Sequence, residues 1–132
     1  TEKMNENQRG LLANNLAYMT VKTGGDSEVA RENIDLAFKL LGPRIELLDT
    51  RAIIHIEEGE YDRAIDDLNE ATLFDVNSGV YYFHLALAYQ GKDDRDAALA
   101  ALEKAEELKF TGEKIDGIDR EKYLKLKRWL RL

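Results

Sequence analysis

The sequence predicts an all-α chain of antiparallel helix pairs stacked one on the next, closed by one further helix. Three observations predict it. Ala52, Ala64 and Ala71 reappear 34 residues later as Ala86, Ala98 and Ala105, and Ala17, Ala30 and Ala37 precede them by 35, 34 and 34 residues. A period in this range marks copies of one supersecondary unit, and small residues at fixed places let paired helices approach closely. Within each unit, apolar residues recur at helical spacing, and no stretch of useful length reads as a strand. Only one proline, Pro43, is present among 132 residues, and proline breaks helix interiors.

Leu11, Leu12, Asn15, Leu16, Met19 and Thr20 share one face at 3.6-residue spacing, so about 5–22 reads as the first helix. Gly24-Gly25 ends it, and Asp26 or Ser27 can cap the second by accepting a free amide. That helix runs to about Leu41 with Val29, Ile34, Ala37, Phe38 and Leu41 inward. Gly42-Pro43 separates it from a third helix over about 44–57, since glycine tolerates a left-handed cap and proline suits a helix start. After Gly59, a fourth helix over about 61–74 buries Ala64, Ile65, Leu68 and Ala71. Asn77-Ser78-Gly79 turns the chain into a fifth over about 80–90, and Gly91-Lys92-Asp93-Asp94 into a sixth over about 95–108, with Ala98, Leu99, Leu102 and Ala105 inward. A loop holding Gly112 and Gly117 leads to Asp119 as the cap of a seventh helix, about 120–131, with Tyr123, Leu124 and Leu130 on one side and Trp129 near it.

The formal net charge is −7 and is unevenly spread. Residues 1–111 hold 12 basic and 22 acidic side chains, net −10; residues 112–132 hold 7 and 4, net +3. An acidic body lacks the basic surface that phosphates require, so no nucleic-acid partner is expected. The basic C-terminal stretch reads as the solvated face of the last helix. No apolar run approaches the roughly 18 residues that span a bilayer, so no membrane partner is expected either. No cysteine is present, which removes disulfides, thiol nucleophiles and thiolate metal sites. No signal peptide is visible. The chain starts at Thr1 without a methionine, as a processed chain or a piece of a longer protein would. Location stays open, with the cytoplasm favoured.

With the repeats laid out, each unit resembles a tetratricopeptide repeat, a 34-residue helix–turn–helix. Residues 45–78 carry it best, with Gly59 and Tyr61 in the turn, then Ala64, Leu68 and Ala71. Residues 79–112 carry Leu85, Ala86, Tyr89, Ala98, Leu102 and Ala105; residues 10–44 carry Leu16, Ala17, Gly24, Ala30, Ile34 and Ala37, with one inserted residue near Gly24-Gly25. The resemblance covers about 100 residues and departs from the family in places. Gly42, Val76 and Phe110 stand where a proline is expected, Ala13, Leu48 and Tyr82 where a tryptophan is common, and Arg51 where a leucine is usual. Arg51 can pair with a carboxylate of a neighbouring helix. The resemblance implies a right-handed superhelix of three antiparallel pairs, with the seventh helix as a cap, forming one domain over residues 1–132.

It also implies a non-enzymatic protein-interaction module whose first helices line a concave groove. Carried onto this sequence, the groove holds Asn14, Tyr18 and Val21, then Asp49, Ile53 and Ile56, then Phe83, Leu87 and Gln90. Ile53 and Leu87 are expected open to it, Phe83 less so. Apolar anchors would hold an extended peptide or partner helix, while Asn14 or Gln90 bonds its backbone. The basic cluster that holds a partner's carboxylate in some members is missing; only Asn14 and Lys22 would suit. Surrounding acidity favours a neutral or basic partner. The alternative is a structural segment of a larger repeat protein, self-associating as a homodimer through the helix that carries Trp129 and Leu130.

No catalytic constellation, cofactor site or metal site is expected. His55 matches Tyr89 of the next repeat and reads as a packing residue, while His84 precedes Leu85 and can touch the groove. Asp93, Asp94 and Asp96, and Asp116 with Asp119, lack the ligand spacing and terminal glutamate of a calcium loop. They read as helix-start charge, which the helix dipole favours. Tyr81-Tyr82-Phe83, the densest aromatic run, reads chiefly as packing, and otherwise as an anchor for a partner.

Overall fold

A computed structural model describes residues 3–111 and 115–132. Among the described residues there are seven helices and no strand. α1 spans Glu6–Lys22, α2 Ser27–Leu41, α3 Ile45–Glu57, α4 Tyr61–Phe74, α5 Gly79–Gly91, α6 Arg95–Glu107 and α7 Gly117–Trp129. Gly112 of the expected final loop lies outside the described residues.

The helix starts follow from local chemistry. Asn5 and Gln8 form a reciprocal capping box on α1: the Asn5 side chain accepts from the Gln8 amide at 2.8 Å and Gln8 returns the favour at 2.9 Å. Asp26 caps α2 through the Glu28 amide, and Asp94 caps α6 through the Ala97 amide. The seventh helix begins earlier than expected. Its cap is Asp116, whose carboxylate accepts from the Asp119 amide at 2.9 Å, so Gly117 is its first helical residue and Asp119 sits inside the first turn. Pro43 lies just ahead of α3, where Arg44 is the cap residue, and Gly42 ends α2 at φ 72°.

The turn within each pair reuses one conformation. Gly24, Gly59 and Asp93 occupy equivalent places, each in the left-handed region, at φ 76°, 77° and 60°. An aspartate there carries a steric cost that glycine escapes. Asp93→Gly is therefore expected to raise stability by about 0.5–1 kcal/mol, read from the urea midpoint at unchanged slope.

All nine periodic alanines are fully buried. Each first helix packs chiefly on its own second helix, α1 on α2, α3 on α4 and α5 on α6. The first helices also form a row, α1 on α3, α3 on α5 and α5 on α7. Two apolar cores result. Ala13, Ala17, Val21, Ala30, Ile34 and Ala37 join Leu47, Ile53 and Ile54 of α3. The second pair joins the third pair and α7 around Leu68, Phe83, Leu102, Tyr123 and Leu126.

The first helix turns the opposite way from what its large residues suggest. Its buried face is Gly10, Ala13, Asn14, Ala17 and Val21, whereas Leu11, Leu12, Leu16 and Met19 are exposed. Close approach to α2 selects the small residues: a Cβ on Gly10 would fall 2.4 Å from the Leu41 side chain. Val29, also expected inward, is exposed.

Candidate interaction surface

The inner side of the helix row is built from three equivalent sets of residues. Asn14, Asp49 and Phe83 occupy one position in successive pairs, Tyr18, Ile53 and Leu87 a second, and Val21, Ile56 and Gln90 a third. Tyr18, Ile56, Leu87 and Gln90 are half-buried. Asn14, Asp49, Ile53 and Phe83 are buried, Phe83 completely. The exposure expected for Ile53 is thus not found, and that for Leu87 only in part.

The cover is α7. The start of α7 reaches the end of α1. Lys22 donates to Asp116 and lies 3.5 Å from Asp119, while Lys122 lies 3.4 Å from Glu57 at the end of α3. Burial alone would lower the Lys22 pKa. Hydrogen bonds to Asp116 and Tyr18 and the charge of Asp119 outweigh it, so the net direction is up. The Asp119 amide, and after it Lys22, hold the Asp116 carboxyl below its ordinary range. Both partners are therefore charged at neutral pH. Between this clasp and Tyr18, Ile53, Ile56, His84 and Leu87 there remains a cavity of about 20 Å³, little more than room for one water.

Farther along, α7 is seated on aromatic side chains. Phe83 stacks on Phe110 at 4.6 Å, and Tyr123 approaches both rings at 6.2 Å. The Tyr123 hydroxyl donates to Glu106 at 2.6 Å. Arg95 donates to the Trp129 carbonyl at 2.9 Å and to that of Leu130, satisfying the free carbonyls at the end of α7. Leu130 is buried and Trp129 packs, half-buried, against the core. These two side chains seat the cap; the exposed apolar residues of its surface are Ile118, Leu124 and Leu132.

Two polar arrangements lie in the helix row. The His84 Nδ1 and an Asp49 carboxylate oxygen are 2.6 Å apart, both side chains buried, tying α5 to α3. Among the described residues, the Asn14 side-chain oxygen is buried with no hydrogen-bond partner. Arg51 forms a two-pronged pair with Asp67 of α4 at 2.8 and 2.9 Å and lies over the Phe38 ring, the carboxylate pairing its departure from leucine calls for. His55 packs half-buried, 3.7 Å from Asp67, and burial lowers its pKa. Among the described residues no group of three or more His, Asp or Glu is placed to hold a metal, and no helix is long and apolar enough to cross a membrane.

One surface was missed by sequence reasoning. Met4, Leu12, Leu16 and Leu36 line an open trough of about 590 Å³ on the outer side of α1 and α2. The signal was available in the repeat: Leu12, Leu16 and Met19 match Leu47, Arg51 and Ile54 one unit later, positions that face a preceding helix pair.

Seven helices, arranged as three pairs in series plus a cap, define a helical-repeat protein. Residues 80–111, which hold α6 and all of α5 but Gly79, match the family described as tetratricopeptide repeat. No curated protein and no solved structure matches the chain. The matched repeat supports the resemblance read from the sequence, and repeats of this family are generally non-enzymatic protein-interaction modules.

Proposed function

We propose that this chain works without catalysis, as one repeat domain that takes a peptide or helix of a partner protein on the inner side of its helix row. The observation that carries the reading is the buried, unpartnered side-chain oxygen of Asn14. A buried acceptor without a donor costs free energy, and a backbone N–H of a bound segment would satisfy it. Tyr18, Ile56 and Leu87 would supply apolar contact, Ile53 and Phe83 the wall behind them, and Gln90 a second backbone bond. Asp49 and Glu57 favour a neutral or basic segment. Entry requires the first turns of α7 to move off Lys22 and Glu57, because the space left beneath them is too small for a side chain.

The test is selection of a random peptide library on the immobilised chain, followed by titration of the enriched peptides. They should carry apolar anchors without acidic residues. Leu87→Arg should weaken them at least about tenfold, as loss of a central anchor does. Lys22→Glu, which repels Asp116 and Asp119, should tighten them by freeing the groove. Peptides bound equally by wild type and Leu87→Arg would rule the groove out.

A further inference from the structure

The two apolar cores meet in α3 and are tied together a second time by charge. Among the buried residues, α3 alone gives side chains to both, Ile53 and Ile54 to the first core and Ala52 to the second. The first helix pair is carried on one side of α3, and the third pair with α7 lies on the other. α7 is fixed to the second core by Tyr123, Leu126 and Leu130, and by Arg95 on its last carbonyls. Its first turn meets α1 differently. Among the described residues, only Lys22 joins the first pair by a hydrogen bond or ion pair to an element beyond α3: it donates to Asp116 and lies 3.5 Å from Asp119. Tyr18 accepts from the same ammonium at 3.0 Å, which fixes it at the end of α1. Ile118, the large apolar residue of that first turn, is exposed and shares an open trough with Met19. The hold of α7 on its own core is therefore apolar, and its hold on the first pair is electrostatic.

We propose that Lys22, Asp116 and Asp119 form an electrostatic latch between the two cores, which when open lets the first pair swing about α3 and away from α7. Parting of the latch opens the small cavity beneath it on its α1 side; Lys122 beside Glu57 borders the same cavity on its α3 side. The side chains of Lys22 and Asp119 keep only 15% and 13% of their exposure, so salt alone loosens this contact less than it would a surface pair. Placing a like charge at position 22 opens it outright. The consequence for a docked segment rests on the groove reading above. The latch itself does not: if no peptide binds, it still stands or falls on distances within the free chain.

The experiment measures those distances by double electron–electron resonance. The chain has no cysteine of its own, so spin labels go where cysteines are introduced. Glu28→Cys on α2 with Lys125→Cys on α7 reports the first pair against the cap; Glu103→Cys on α6 with Lys125→Cys reports the cap against its own core. All three sites are exposed and outside the latch. At about 0.01 M salt, Lys22→Glu should lengthen and broaden the first distance and leave the second unchanged. At about 1 M salt, where the Debye length has fallen from about 30 Å to about 3 Å, Lys22→Glu and the unaltered latch should converge. Adding Asp119→Lys and Asp116→Asn to Lys22→Glu should restore the short distance, since asparagine keeps the cap on α7. The same first distance with and without Lys22→Glu would overturn the proposal. So would a difference that persists at high salt, which would be altered packing and not charge. Lengthening of the second distance as well would overturn it too, because α7 would then be leaving the third pair.

Discussion

Phe83→Ala is expected to destabilise the chain by about 3–5 kcal/mol, the usual cost of emptying a fully buried aromatic site. Phe83 has no exposed surface, stacks on Phe110 and lies beside Tyr123. Its removal would open a cavity directly beneath the cap helix and weaken the seat of α7. Urea unfolding should show a lower midpoint, and exchange of the α7 amides should quicken more than that of α1 or α2, whose core is separate. The comparison that decides its role is Leu87→Ala, half-buried on the same helix, expected to cost only about 1–2 kcal/mol from partial loss of burial. A small stability change at Phe83 with loss of peptide binding would make it an interface anchor instead of a core residue.

How far the sequence could be read depended on the range of the interactions. The alanine period is local in each helix pair and repeated, so its consequence, nine alanines with no exposed surface, was legible. Helix starts were legible where a cap sits next to the first turn, as at Asp26 and Asp94. At the last helix two aspartates compete, and Asp116 wins over Asp119 because the residues between them can form the first turn, with the Asp119 amide pointing back. The orientation of α1 was not legible from its large side chains. It is apolar on two sides, and the side that packs is chosen by how close Gly10, Ala13 and Ala17 allow α2 to come. The cover that α7 forms over the row of first helices was least legible. The clasp joins Lys22 to Asp116, 94 residues apart, and neither residue type nor spacing marks two such distant side chains as partners. The repeat pattern predicts that the first helices form a row; how tightly the row curls depends on side-chain packing summed over three junctions.

Asp49→Ala is expected to cost about 3 kcal/mol, where the price of an orphaned buried polar group meets that of a broken buried pair. The His84 ring nitrogen would lose a carboxylate 2.6 Å away, and its side chain is too buried for water to replace it. Asp49 stands where the first pair has Asn14 and the third has Phe83, so one equivalent position carries three unlike side chains. Each suits what its neighbour offers: Phe83 meets aromatic rings under the cap, Asp49 meets His84, and Asn14 has a free oxygen. A double-mutant cycle separates the pair from its surroundings. His84→Ala alone should cost less than Asp49→Ala, because a carboxylate 8% exposed can be reached by solvent more readily than a ring 3% exposed. Asp49→Leu with His84→Phe, which replaces both partners by apolar groups of similar size, should recover most of the loss. Recovery would identify the pair as a positional tie between α3 and α5, without a further energetic role. Failure of the double variant to recover would mean that Asp49 also supports the row through contacts beyond His84.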